Sequence, residues 1–153
     1  MATPKWAQDL TIAAILYLQS KGIKAELPEL TWRHGTANQS SGRAIGKSRI
    51  VVTAGKNRAD AKLVLLHEIA HTVTESKPQY WNIERAKKNG WIFPNGEPEK
   101  PVVSRMVCHT PEFWETTWDL YRWAKLPIRY CKQREGNYKR GALVAYHKGL
   151  KSN

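Results

Sequence analysis

The chain has 153 residues, 41% of them hydrophobic and seven of them tryptophan, which suits one domain with one core and excludes a disordered chain or a disulfide-stapled miniprotein. Twenty-five Lys and Arg against 13 Asp and Glu give a net charge of +12, which favours anionic partners and says nothing about the fold. The two cysteines, Cys108 and Cys131, form neither a CxxC pair nor a dense framework, so a reducing, cytoplasmic setting is expected.

Residues 1–22 are expected to hold an N-terminal helix. From Pro4 to Lys21, Trp6, Leu10, Ala13, Ala14, Tyr17 and Leu18 recur near helical spacing and Gly22 provides the stop; this helix should lie over the core as a lid. Ala13 to Leu18 is too short to span a bilayer, and no basic region, apolar run and cleavage site mark a secretory signal. Leu30 to Arg33 follows Pro28, and Arg43 to Thr53 carries Ile45, Ile50, Val51 and Val52 among Gly42, Gly46 and Gly55. Together they predict a short, twisted sheet of two or three strands.

Asn57 is placed to cap a second helix, from about Arg58 to Thr74, in which Leu63, Leu66, Ala70 and Val73 fall at three- and four-residue steps. Residues 75–107 are punctuated by Pro78, Pro94, Pro98 and Pro101. They read as an inserted, substrate-facing loop region in which only Ile83 to Asn89 suits a brief helix. Thr110 followed by Pro111 starts a helix reaching about Lys125, with Phe113, Thr117, Leu120 and Ala124 on one side and Trp114, Trp118 and Tyr121 on the next.

Residues 127–153 form a basic C-terminal segment. Ile128 to Lys132 and Ala142 to Tyr146 read as strands separated by the turn-prone Glu135, Gly136 and Asn137. From Arg122 onward nine basic residues (Arg122, Lys125, Arg129, Lys132, Arg134, Lys139, Arg140, Lys148 and Lys151) face one acid, Glu135. No internal repeat or low-complexity tract interrupts this α+β order.

The second helix contains His67-Glu68-Ile69-Ala70-His71. Residues four apart on a helix differ by about 40° in direction and lie roughly 6 Å apart, so His67 and His71 can direct two imidazoles to one metal. Zinc suits imidazole nitrogen and in hydrolytic sites keeps a position open for water. Glu68, on the flank of the same face, then serves as general base to a metal-activated water and not as a ligand. The apolar neighbours Leu65, Leu66, Ile69 and Ala70 are expected to wall the metal in.

Two imidazoles need a third protein ligand, and Glu75, Glu84, His109, Glu112, Cys108 and Cys131 all follow the motif. His109 is preferred because it stands immediately before the Thr110 and Pro111 helix start, where its backbone is fixed. Glu84 is the alternative, with the solvated neighbours Arg85, Lys87 and Lys88 against it. Both cysteines are expected to be small buried thiols.

The stretches LVLLHEIAHTVT and CHTPEFW resemble the two motifs of the SprT-like metallopeptidases and of the small HExxH proteins often carried by bacteriophages. The resemblance runs from about Thr31 to Lys125. It implies a zincin-like minimal metallopeptidase core: a short sheet packed on the HExxH helix, and a further helix after the third ligand. Carried over by position, it implies His67, His71 and His109 as zinc ligands, Glu68 as the catalytic residue and Phe113 as packing. Thr110 stands where the family has glycine, and the segment between the motifs is long. A phage origin would place the chain in the host cytoplasm.

A zinc-dependent peptidase cleaving a protein or peptide substrate is therefore expected. The resemblance adds proteolysis near nucleic acid, with the basic C-terminal segment offering phosphate contacts to DNA or RNA. The alternative is a non-catalytic, zinc-containing nucleic-acid-binding module, against which Glu68 stands, since a structural site needs no base. Peptide deformylases place a cysteine ligand before HExxH, whereas both cysteines here follow it. Tyr130, Tyr138, Tyr146 and His147 carry donors suited to oxyanion stabilisation, but each is more often structural, and none is assigned that role.

Overall fold

The computed structural model describes residues 2–136. The strand expected at Ala142 to Tyr146, together with Tyr138, His147, Lys139, Arg140, Lys148 and Lys151, lies outside the described residues.

Helix α1, Lys5–Ser20, ends as expected at Gly22, whose φ of 81° lets the chain turn out of the last helical turn. Its buried face is Ala7, Thr11, Ala14, Ile15 and Leu18, one step around the helix from the expected stripe, and Ala13 is exposed. Tyr17 donates to both carboxylate oxygens of Asp119, at 3.0 and 2.9 Å, tying α1 across the core.

Three strands follow: β1 (Glu29–His34), β2 (Ser41–Ile45) and β3 (Arg49–Ala54). β3 is central, parallel to β1 and antiparallel to β2. Ile50, Val52 and Ala54, at period two, face the core, and Trp32 sits in register with Val52 on the neighbouring strand. The expected small sheet is thus present, with β2 at its edge.

Helix α2, Arg58–Val73, is capped by the Asn57 side chain, which accepts from the Asp60 N–H at 3.2 Å. Leu63, Val64, Leu65, Leu66, Ile69 and Ala70 are all buried. A helix apolar nearly all round belongs at the centre, and α2 packs against α1, β2, β3 and the later helix α4, Pro111–Trp123. The approach of β2 to α2 requires Gly42, because a Cβ there would lie 2.9 Å from Val64 Cγ1 and 3.1 Å from Glu68 Cγ.

Residues 75–107 are more ordered in secondary structure than expected. β4 (Lys77–Tyr80) pairs antiparallel with β5 (Val103–Val107), and α3 (Ile83–Lys88) lies between them. β4 contains Pro78, so proline punctuation concealed it, and all four of its residues are exposed, so no buried face marks it. α3 matches the brief helix expected there.

Thr110 and Pro111 start α4 as expected; the Thr110 hydroxyl accepts from the Phe113 N–H at 3.2 Å. Phe113, Trp114, Trp118, Leu120 and Tyr121 are essentially fully buried, each such side chain contributing about 1.5–3 kcal/mol or more. The strand expected at Ile128 to Lys132 is instead helical: α5, Ile128–Arg134. The Cys131 N–H bonds to the Pro127 carbonyl and the Glu135 N–H to the Cys131 carbonyl. Its inward position, Cys131, and the buried cap residue Glu135 are four apart, and the second is a carboxylate, which an apolar-run reading overlooks. The described residues are thus α+β, and none of their helices is long and apolar enough to cross a membrane.

Candidate metal centre

The HExxH spacing puts His67 and His71 on one face of α2, with ring centroids 5.0 Å apart. β5 runs into Cys108 and His109 just before the α4 cap, which delivers His109 to the same point. Nitrogens of His67, His71 and His109 lie within 4.8 Å of one another, and the Nε2 atoms of His67 and His109 are 3.4 Å apart. Two nitrogens on one tetrahedral ion at about 2.0–2.1 Å would be roughly 3.3 Å apart. The three imidazoles are close enough to hold one metal ion.

Burial, followed by the neighbouring His67 and His109, pushes the His71 pKa down to about 3. Burial also lowers that of His109, with His67 adding to it. Both rings are therefore held neutral, the form that ligates a cation. Phe113 stacks on His71 at 4.1 Å between centroids and Trp114 on His109 at 5.6 Å. Leu65, Leu66, Ile69 and Ala70, the expected wall, belong to the hydrophobic core; the rings packed on the imidazoles come from α4.

Glu68 is 6% exposed and shares a cleft of about 570 Å³ with His67, His71, His109, Cys108 and residues of β2. Burial raises its pKa, against the nearby His67 and a hydrogen bond from the Ala44 N–H, while Glu135 adds to the rise. Ala44 belongs to β2, whose only strand neighbour among the described residues is β3. The cleft thus combines a three-imidazole cluster, a buried carboxylate and a strand edge that is open among the described residues.

Behind the cleft lies a polar network with no signature in the sequence. The His67 Nδ1 is 3.2 Å from Glu135 Oε1, and the Tyr121 hydroxyl donates to the same oxygen at 2.9 Å. Arg134, the preceding residue, donates through Nε to Asp60 Oδ1 at 2.7 Å and through a terminal nitrogen to the Ser40 carbonyl at 2.7 Å. Asp60, fully buried, also accepts from Tyr130 and from the Ser40 N–H. The Tyr130 hydroxyl thus donates to Asp60.

Burial works to raise the Asp60 pKa, but hydrogen bonds from Arg134, Ser40 and Tyr130 outweigh it and hold the carboxyl below its ordinary 3.8. A depressed folded-state pKa stabilises the fold above that ordinary value, and the contribution is lost as pH falls through the lower folded value. Asp60→Asn should cost about 1–3 kcal/mol at pH 7 and flatten the loss of stability in acid. Urea unfolding followed from pH 7 to below pH 4 reads both effects, and an unchanged acid limb would dismiss Asp60 as a source.

None of the other candidate ligands belongs to the three-histidine cluster. Glu84 is exposed on α3. Glu75 pairs with Lys47, and Glu112 with Lys77 at 2.6 Å, all exposed. Cys131 is buried as expected, and burial pushes its thiol up to about 12. Cys108 is not a buried thiol: it is exposed, with Sγ 3.7 Å from His109 Nδ1, because β5 delivers it to the cleft rim and not to the core. Comparison with family models, curated proteins and solved structures found no match to the chain.

Proposed function

We propose that the protein is a zinc-dependent metallopeptidase of zincin type, akin to the SprT-like enzymes. The observation that carries this reading is the convergence of three imidazoles beside a buried glutamate in one open cleft. His67, His71 and His109 would hold the zinc. Bound there, zinc supplies Lewis acidity that lowers the pKa of water toward neutrality.

Glu68 is the group that accepts the proton of the attacking water and returns it to the leaving amide nitrogen. Its burial favours this role, because a desolvated carboxylate is a stronger base than one in water. The edge of β2, unpaired by any strand among the described residues, orients an extended peptide as an added strand, presenting a scissile carbonyl to the cleft. Phe113 and Trp114 keep bulk water from the back of the histidines. The net charge of +12 supports action near DNA or RNA through phosphate contacts.

Purified protein should cleave an unstructured polypeptide, lose that activity to a chelator and regain it on addition of zinc. The assay is run with and without DNA. Zinc-loaded protein that cleaves nothing under either condition would favour the non-catalytic nucleic-acid-binding module instead.

A further inference from the structure

We infer that Glu135 is a positioning residue for the metal centre, fixing the tautomer and ring orientation of His67; this rests on the metal-binding reading above. The side chain is 4% exposed and its Oε1 faces two groups, His67 Nδ1 at 3.2 Å and the Tyr121 hydroxyl at 2.9 Å. A carboxylate only accepts hydrogen bonds. The proton on His67 is thereby assigned to Nδ1, and the lone pair to Nε2, the atom 3.4 Å from His109 Nε2. An outer carboxylate acting this way also makes the imidazole a better donor to a cation.

The backbone that carries Glu135 is itself anchored. Arg134 bonds to Asp60 in the first turn of α2 and to the Ser40 carbonyl at the start of β2. Asp60 and His67 are seven residues apart on α2, about 10 Å along the axis. Arg134, the last residue of α5, and its cap Glu135 therefore grip two successive points on the face of α2 that leads to the metal cleft. Tyr121 alone would satisfy one lone pair of the carboxylate.

The test titrates wild-type protein and Glu135→Gln with zinc in competition with a chromophoric chelator, alongside thermal melts of both without metal. Glutamine keeps the shape but loses the charge, and its amide can also donate to Nδ1 and favour the unproductive tautomer. Zinc affinity should fall about 10- to 100-fold while the metal-free melting temperature holds. Equal affinities in the two proteins would overturn the inference alone, whereas a wild type that binds no zinc would remove the metallopeptidase reading and this inference with it. A second measurement is independent of how the variant folds: imidazole nitrogen NMR of zinc-loaded wild type should show His67 protonated at Nδ1. A His67 protonated at Nε2 would overturn the assignment.

Discussion

Glu68→Gln should lower peptide turnover by about 10²- to 10⁴-fold, the usual worth of a positioned general base, with zinc content unchanged. The substitution is nearly isosteric, so the contacts of Glu68 with α2 and β2 are kept, including the approach to Gly42. Only the capacity to take a proton is removed. Stability should move the other way, if at all. Burial raises the folded-state pKa of Glu68, so ionising the carboxylate above its unfolded pKa costs the folded state free energy. A neutral amide is free of that cost, and the metal-free variant should be at least as stable as wild type at pH 7. Turnover of an unstructured polypeptide, metal content and a urea titration measure the three quantities; wild-type turnover in the variant would sink the role of Glu68.

His109→Ala is the second large effect. Removing one of three imidazoles should weaken zinc binding by more than the roughly 10- to 100-fold that loss of an outer partner costs, and activity should go with it. The fold should persist, because His109 is only half-buried and the start of α4 is held by the Thr110 cap, not by the histidine ring. Glu84→Ala serves as the control, since that side chain is exposed on α3, and its zinc affinity should equal that of wild type. Cys108→Ser separates the remaining neighbour: its Sγ lies 3.7 Å from His109 Nδ1. Zinc retained in His109→Ala and lost in Cys108→Ser would transfer the third position to the thiol.

The parts of this protein that were readable before the fold are those whose cause is local. Asn57 and Thr110 cap helices because a side-chain oxygen meets an N–H three residues on, and Pro111 reinforces the second start. His67 and His71 share a face because they are four apart. His109 could be nominated because a helix start fixed its backbone. β1, β2 and β3 showed through β-branched residues and glycine punctuation, although which strand was central did not.

What escaped depended on partners remote in sequence. α5 reads as a strand from its apolar residues, and becomes a helix because Tyr130 and Arg134, four apart, meet Asp60, 70 and 74 residues away. Glu135 looked like a turn residue; its contact with His67 spans 68 positions. Proline hid β4, and the stacking of Phe113 on His71 arises only once α4 packs against α2. The sequence alone determined the pairing of His67 and His71 on one helix face, the acid beside them and the caps of the helices involved, because those interactions close within one helical turn. The tertiary structure decided which third histidine comes within reach, what surrounds the imidazoles and which carboxylate contacts His67, because topology alone brings distant residues together.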